Sequence, residues 1–241
     1  MAGLVISIPL FLTDRHPCSY LDDEYAQPAF VHPVFEMTTA IYSELIKQGF
    51  RRSGDEVYSP HCPDCSACIP TRLRVHEFIP SRSQKRCRQK NLGTRVLVKP
   101  AEFNQSHFEM FLRYQQARHN EGSMASSGEA DYINFLKSSW CDTHFVEFSI
   151  GDELAAIAVV DRLDNALSAV YTFFEPKFSG YSLGVYAVLW QIEWAKQLQK
   201  EFLYLGYWIK QCKKMSYKSE YQPLQVLRDK RWVAQKPLIS C

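Results

Sequence analysis

The stretch THFVEFSI-GD-ELAAIAVVDRL-DN-ALSAVYTFF, residues 143–174, decides the fold. It contains three runs rich in apolar, β-branched and aromatic residues, separated by the turn-forming pairs Gly151-Asp152 and Asp164-Asn165. Runs of this length joined by two-residue turns favour neighbouring antiparallel strands. We therefore predict a three-stranded antiparallel meander over Thr143–Ile150, Glu153–Leu163 and Ala166–Phe174.

The residues after the meander predict a loop, a long helix and a further strand. The helix runs from about Gly184 to Lys200, and the strand covers Phe202–Tyr207. This order resembles the core of the GNAT acyltransferases. The resemblance implies an α+β fold with a GNAT-like acyltransferase domain at residues 101–241. Residues 1–100 are then a smaller, irregular region that contains most of the cysteines and a basic segment.

Two more helices are predicted from their end signals. Met37, Ala40, Ile41 and Leu45 share one helix face, which Gly49 would end. The pattern Ser106-His-Phe-Glu109 is a capping box that starts a helix reaching to about Arg118.

Positive charge is concentrated in one segment. The chain has 241 residues and a net charge of +2, yet residues 70–99 contain nine Lys or Arg and only Glu77 as an acid, so this segment carries +8 and the remainder carries −6. The polar run from Ser81 to Lys90 predicts a helix with almost no apolar stripe, which packing alone does not hold. A polyanion such as a nucleic-acid backbone would stabilise it, and a solvated charged face is the alternative.

Three cysteines follow the spacing C-x2-C-x2-C at Cys62, Cys65 and Cys68 on a turn-rich stretch. Such spacing points thiolates at one centre, either tetrahedral zinc or an iron–sulfur cluster. Cys18 is the preferred fourth ligand, with His16 and His61 as alternatives. Cysteines packed as small apolar groups without metal are the other interpretation.

The loop before the long helix, Phe178 to Gly184, is positioned to offer backbone N–H groups to a ligand. CoA enzymes of this fold wrap the pyrophosphate with glycines at fixed spacing. This loop has Lys177 and Gly180 but places Ser182 where Gly or Ala is expected, which weakens a CoA interpretation. Ser182 as a simple helix cap is the alternative.

The first twelve residues are apolar but lack a basic leader, contain Pro9 and are too short to cross a bilayer. We therefore expect a cytoplasmic protein without a membrane partner.

The sequence also resembles a family over nearly its whole length. The matching segments are Gly49–Gly54, Tyr58, Pro60, Cys62–Cys68, Phe78–Arg86, Ser182–Tyr186, Tyr204–Ile209 and Lys214–Lys218. They resemble the aminoacyl-tRNA–protein transferases of the N-degron pathway. The compact length and the C-x2-C-x2-C form resemble the bacterial branch, which moves leucine from leucyl-tRNA onto proteins that begin with Asp or Glu and so marks them for degradation.

This resemblance implies an aminoacyltransferase whose chemistry needs no obligatory cofactor. An α-amine attacks the ester carbonyl, and positioning with oxyanion stabilisation supplies much of the rate. Near the reacting carbonyl we expect the hydroxyl of Tyr171 and the backbone N–H groups around Ser182, Leu183 and Gly184. The residues expected to bind tRNA are Ser81, Arg82, Ser83, Lys85, Arg86, Arg88 and Lys90.

For the carboxylate of the acceptor protein, Arg51 and Arg52 are candidates by their fork geometry, followed by Lys214 and Lys218. A surface pair of arginines after a helix end is the alternative for Arg51 and Arg52. Two other functions compete with the transferase: a CoA-dependent GNAT N-acetyltransferase and a non-catalytic, metal-containing RNA-binding module.

Overall fold

A computed structural model describes residues 7–119 and 128–235 of the chain. The helices are α1 (Thr39–Leu45), α2 (Arg82–Lys90), α3 (Gln105–His119), α4 (Glu129–Leu136), α5 (Leu183–Gln197) and α6 (Lys213–Ser216). The strands are β1 (Leu10–Leu12), β2 (His16–Pro17), β3 (Tyr25–Ala26), β4 (Pro28–Val31), β5 (Arg51–Ser53), β6 (Glu56–Pro60), β7 (Ile69–Arg74), β8 (Arg95–Pro100), β9 (Asp142–Ile150), β10 (Glu153–Arg162), β11 (Ala166–Phe174), β12 (Phe202–Trp208), β13 (Leu224–Arg228) and β14 (Arg231–Gln235).

The predicted meander is confirmed as the centre of an eight-stranded mixed sheet. The strand order is β14-β13-β7-β12-β11-β10-β9-β8. Within it, β10 is antiparallel to both β9 and β11. β11 begins and ends at the predicted residues, and β10 ends one residue before Leu163. Gly151 has φ +59°, as the tight turn between β9 and β10 requires.

The parallel strands β11 and β12 separate after a short contact. Only Ala166, Leu167 and Ser168 of β11 pair with β12, although β11 continues to Phe174. The pairing of each strand with its other neighbour shifts register just beyond this point. The shift between β10 and β11 lies at Val159/Val160, and the shift between β12 and β7 lies at Tyr204/Gly206. Bulges bend a strand and increase its twist. The opening that results between β11 and β12 is called the fork.

Helices cover both faces of the large sheet. Ala156, Ala158 and Val160 of β10 belong to a cluster with α5, whereas Ile157 and Val159 belong to a cluster with α3 and α4. This alternation follows the period of two in a strand. All five side chains are fully buried, and full burial contributes about 1.5–3 kcal/mol for a valine or isoleucine and about 0.8 kcal/mol for an alanine methyl.

The amino-terminal part is more regular than the sequence predicts. A four-stranded antiparallel sheet has the order β1-β4-β6-β5, and β2 pairs with β3. α1 continues as a short 3-10 turn over Ile46–Gln48 and ends at Gly49, whose φ of +95° confirms the predicted helix end. The expectation of an irregular region is therefore wrong for these strands, which were missed because each has at most five residues.

The large sheet takes strands from both sides of residue 100, since β7 pairs with β12 and β8 pairs with β9. The division at residue 100 stays a prediction. α3 begins at Gln105, because Asn104 Oδ1 accepts from the N–H groups of Ser106 and His107. The predicted cap at Ser106 is thus wrong by two residues. Within residues 7–119 and 128–235, no helix has the length and apolar character needed to cross a membrane.

Candidate active site

The predicted basic helix exists as α2, and its ends lie as expected. Ser81 is the N-cap of a complete capping box: its Oγ accepts from the Gln84 N–H at 3.3 Å, and Gln84 Oε1 accepts from the Ser81 N–H at 2.9 Å. The helix also buries Gln84 and Cys87, and Gln84 Nε2 donates to Glu220 O at 3.2 Å. These contacts correct the expectation that packing does not hold the segment. Six of the predicted tRNA-binding residues are exposed: Ser81, Arg82, Ser83, Lys85, Arg86 and Lys90.

The structure brings α2 against the loop that precedes α5. Lys90 Nζ donates to Gly180 O at 2.6 Å, and Asn91 Nδ2 donates to Tyr181 O at 2.9 Å. The half-exposed Arg88 lies 3.5 Å from Glu193 of α5. The predicted polyanion segment and the predicted ligand loop therefore form one continuous surface.

The start of α5 has an unusual backbone. Ser182 occupies the N-cap position with φ +54°, and its side chain makes no capping hydrogen bond. Its carbonyl accepts from the N–H groups of Val185 and Tyr186 at 2.9 and 3.0 Å. Ser182 is therefore the N-cap residue, as in the alternative interpretation, but its side chain takes no part in the cap and it has a left-handed backbone. Leu183 is buried, so it offers a ligand only its backbone, and the positive end of the helix favours an anion here.

Tyr171 lies on β11 at the opening of the fork. Its hydroxyl accepts from Gln115 Nε2 of α3 at 3.2 Å, and its ring contacts those of Phe135 and Tyr114 at 5.4 and 6.5 Å between centroids. Burial raises the pKa of the Tyr171 phenol well above its ordinary value. The group therefore stays neutral and can donate its proton in a hydrogen bond.

Gln115 is a site residue that the sequence analysis missed. It is 1% exposed and shares the buried face of α3 with Phe108 and Phe111. The sequence did contain a signal: the Gln115 amide follows Phe108 and Phe111 on an otherwise apolar helix face. A buried polar group of this kind needs a hydrogen-bond partner.

Arg51 fills the base of the fork. Its Nη1 donates to Ser168 Oγ at 3.0 Å, and its Nη2 donates to Ala169 O at 2.7 Å, where β11 leaves β12. Gly206 of β12 lies against the guanidinium, and a Cβ built there would come within 3.3 Å of it. With φ +79° as well, this position suits glycine and lets the arginine sit between the strands.

Lys218 contributes a second buried cation from the β12 side. Its Nζ donates to Tyr207 O at 2.6 Å and lies 3.6 Å from Met215 Sδ. Burial, and then the nearby charge of Arg51, lower the pKa of Lys218 to about 7. The Arg51 guanidinium and the Lys218 amine, which a bound carboxylate would keep protonated, thus converge on the fork although they lie far apart in sequence.

Tyr217 lies beside both cations, with its ring centroid 6.0 Å from Lys218 Nζ, and Tyr20 lies on the side of the cysteine cavity. Burial and the proximity of Tyr114 raise the pKa of Tyr217 to about 12, an effect that Arg51 opposes. Burial and the neighbouring Tyr58 raise the pKa of Tyr20, which also lies near Cys68 and Tyr171. These phenols were missed by the sequence analysis, because tyrosines scattered along a chain do not reveal that they share one cleft.

Arg52 does not face this cleft. It forms a buried bidentate ion pair with Asp161, at 2.7 Å from Nε and 2.5 Å from Nη2, and donates to Gly54 O and Leu136 O. Its side chain is 1% exposed. The prediction that Arg52 binds an acceptor carboxylate is therefore wrong, because its donors already have internal partners. Lys214 is exposed on α6.

The four predicted metal ligands line one cavity of about 260 Å³, namely Cys18, Cys62, Cys65 and Cys68. His61 lines it too, whereas His16 is exposed on β2 and contacts Asp14 O at 3.2 Å. Burial and the other three thiols raise the pKa of Cys68 to about 12. The donor chemistry fits a thiophilic metal. Within the part of the chain that the structure describes, no three His, Cys, Asp or Glu side chains are already arranged around a metal position.

Comparisons with known proteins agree with each other along the chain. A family model described as "Arginine-tRNA-protein transferase, N terminus" matches residues 16–86, and one described as "Arginine-tRNA-protein transferase, C terminus" matches residues 106–228. The aspartate/glutamate leucyltransferase of Alcanivorax borkumensis is 46% identical over 229 residues, which are 95% of each chain. That of Teredinibacter turnerae is 48% identical over 227 residues, covering 94% of this chain and 93% of the other.

Among solved structures, L-PGS from Bacillus licheniformis is 11% identical with a TM-score of 0.41, covering 58% of this chain and 45% of that one. The C-terminal domain of an Agrobacterium fabrum protein assigned as a lysylphosphatidylglycerol synthetase is also 11% identical, with a TM-score of 0.46, covering 64% of this chain and 49% of the other.

Proposed function

Because the chain belongs to the arginine-tRNA–protein transferase family, we propose that it transfers leucine from leucyl-tRNA to the N-terminal α-amine of proteins that begin with Asp or Glu. The modified proteins would then be degraded through the N-degron pathway. The enzyme would act in the cytoplasm, where charged tRNA is available. The observation that carries the acceptor specificity is the convergence of Arg51 and Lys218 on the fork.

We propose that β9 to β12 with α5 form a GNAT-like core. The sequence of meander, loop, helix and parallel strand supports this, as does the separation of β11 from β12. In this arrangement the fork receives the reacting groups, and the start of α5 faces the anionic end of the donor.

The reaction is a simple acyl transfer. The neutral α-amine attacks the ester carbonyl of leucyl-tRNA, a peptide bond forms, the ester C–O bond breaks, and the terminal ribose leaves with a proton that originates from the amine. An α-amine has a pKa of about 7.7–8.0, so a useful fraction is neutral without a strong base. Tyr171, held by Gln115, would donate a hydrogen bond to the developing oxyanion together with amides near Ser182 to Gly184.

The acceptor carboxylate would lie against Arg51 and Lys218. Arg51 keeps donor capacity beyond its bonds to Ser168 and Ala169, and a carboxylate would supply the counter-charge that two buried cations need. Lys214, exposed on the same segment as Lys218, would attract the acidic residue from solvent. The tRNA backbone would follow the exposed cations of α2.

The cysteine cavity would hold zinc or an iron–sulfur cluster through Cys18, Cys62, Cys65 and Cys68. Such a group would supply cross-linking of the loops that carry these thiols, since thiolate centres contribute directly to folding. Metal content per chain, measured on protein purified without air and without chelator, tests this. Substitution of Cys65 by Ser should lower the bound metal, and a metal-free wild-type protein would contradict the assignment.

Transfer of labelled amino acids tests the main proposal. Leucyl-, arginyl- and phenylalanyl-tRNA are each incubated with peptides that begin with Asp, Asn, Glu, Gln, Arg or Ala. Leucine should reach the Asp and Glu peptides and not their uncharged counterparts Asn and Gln. Because Asn matches Asp in size, this pair isolates the carboxylate.

Two controls separate the competing functions. Acetyl-CoA replaces the charged tRNA in one arm, and label on the peptide there would support an N-acetyltransferase instead. Binding of tRNA without transfer from any charged tRNA, by folded protein with intact cysteines, would leave the RNA-binding module as the function and reject the transferase.

A further inference from the structure

The loop before α5 carries aromatic rings that are each accompanied by a cation. Lys177 Nζ lies 5.1 Å from the ring centroid of Phe178, and Lys90 Nζ lies 5.2 Å from that of Tyr181. The guanidinium of Arg118, from α3, lies 5.4 Å from the ring of Phe174. We call these six residues the cation–aromatic rim: Phe174, Phe178, Tyr181, Lys90, Arg118 and Lys177.

The rings of the rim are fixed from below and accessible from above. Phe174, Phe178 and Tyr181 are each half-buried and pack at the margin of the α5 core cluster. Phe178 and Tyr181 stand edge to face at 6.0 Å between centroids. The cations above them are exposed side chains, and Lys177 also pairs with the exposed Glu153. The rings are thus held by the core, while exposed cations lie beside them, within reach of a flat anionic ligand.

The rim connects the basic helix with the candidate catalytic cleft. On one side, Lys90 and Asn91 tie the loop to the end of α2. On the other side, the Tyr114 ring lies 5.0 Å from Phe174 and 6.5 Å from Tyr171. A ligand that enters along α2 and reacts near Tyr171 therefore crosses the rim.

We propose that the cation–aromatic rim binds the unpaired 3′ end of the charged tRNA. Its bases stack on Phe178 and Tyr181, while Lys90, Lys177 and Arg118 contact its phosphates. Single-stranded nucleic acid is held in this way by aromatic platforms beside cations, because every base has a face that stacks. The inference rests on the proposed function, in which the aminoacyl ester at this 3′ end must reach the fork.

The test compares two forms of deacylated tRNA, one intact and one lacking its three unpaired 3′ nucleotides. Wild-type protein should bind the shortened tRNA about 5- to 100-fold more weakly. Phe178→Leu and Tyr181→Leu keep apolar volume but remove a stacking surface, so each should weaken binding of intact tRNA and leave binding of shortened tRNA unchanged. Arg86→Ala, on α2, should weaken both forms equally.

Phe103→Leu is the matched control, because Phe103 is also partly exposed but packs on Phe108 and Tyr132. It should bind both tRNA forms like wild type. Equal affinity of the wild-type protein for the two tRNA forms would overturn the rim proposal. This measurement uses wild-type protein only, so it does not depend on whether a variant folds. The proposal would also be overturned if Phe178→Leu lost affinity for both tRNA forms to the same extent while its thermal unfolding stayed unchanged. Leucine transfer by wild type is scored separately, so the proposed function can stand when the rim proposal fails.

Discussion

The basic helix α2 and the fork are both cationic, but they hold their charge in opposite ways. Arg82, Lys85 and Arg86 extend into solvent from a helix fixed by its cap and two buried side chains. Arg51 and Lys218 are less than a tenth exposed and donate to specific oxygens. Exposed charges act over distance and are screened by salt, whereas buried charges act on one ligand geometry. The first arrangement suits a polyanion, and the second suits a single carboxylate.

The largest effect is expected at Arg52, the strand neighbour of Arg51 that is buried on Asp161, away from the fork. Arg52→Met leaves Asp161 without its counter-charge, so we expect the free energy of unfolding to fall by about 3–5 kcal/mol. Chemical denaturation measures this. Arg162→Met is the matched control, since the Arg162 pair with Asp142 is exposed and should contribute less than about 1 kcal/mol. Similar losses in the two variants would contradict the distinction between buried and exposed cations.

The next test uses the protonation of Lys218. Its pKa of about 7 in the folded protein lies below the ordinary lysine value, so the unfolded chain binds more protons between pH 7 and 9. The free energy of unfolding should therefore gain about 2 kcal/mol from this group as pH rises through that window. Lys218→Met should lack this gain, as measured by urea unfolding at both pH values. A parallel pH dependence in wild type and variant would show that Lys218 is charged and well paired in the folded state.

A smaller effect is expected from the cap of α2. Ser81→Ala removes the side chain that accepts from Gln84 N–H and should lower stability by about 1 kcal/mol. Ser83→Ala removes an exposed hydroxyl two residues along the same helix, which lies 2.9 Å from Ser81 Oγ, and should cost less because no backbone N–H loses its acceptor. If tRNA affinity falls more for Ser81→Ala than for Ser83→Ala, which also loses a hydroxyl expected to contact tRNA, the order of the helix contributes to binding as well.

The mildest change concerns the exposed cations alone. Arg86→Ala should reduce the slope of log affinity for tRNA against log salt concentration by about one unit. It should leave the unfolding free energy within about 0.5 kcal/mol of wild type. Lys47→Ala, on the exposed pair with Glu44, controls for the loss of any surface cation. An unchanged salt slope in Arg86→Ala would remove this residue from the tRNA path.

Local sequence signals predicted those parts of the fold that depend on nearby residues. The meander, α5 and β12 were found because strand runs, turn pairs and helix periodicity lie within each segment. The placement of β7 between β12 and β13 was not predicted, because it depends on partners more than a hundred residues away. Pairing over that distance leaves no trace in local periodicity.

For the candidate site, residue type was predicted better than direction. Arg51 and Arg52 were treated alike, yet neighbouring residues of a strand point to opposite faces. β5 therefore sends Arg51 to Ser168 at the fork and Arg52 to Asp161. The sequence alone did not reveal that this three-residue segment is a strand, so this difference was not predicted.

The long sequence separation at the fork has a consequence for the time at which activity arises. Arg51 meets Ser168 117 positions later in the chain, and Tyr207 donates to Gly49 O across 158 positions. Contacts of such separation form late, because the loop between them must close first. On the ribosome, the first half of the chain, which contains Arg51, emerges before β11, β12 and Lys218 have been synthesised. A nascent chain beside abundant charged tRNA therefore has no complete cleft, and we expect transfer to begin only after the carboxy-terminal segment has been released and folded.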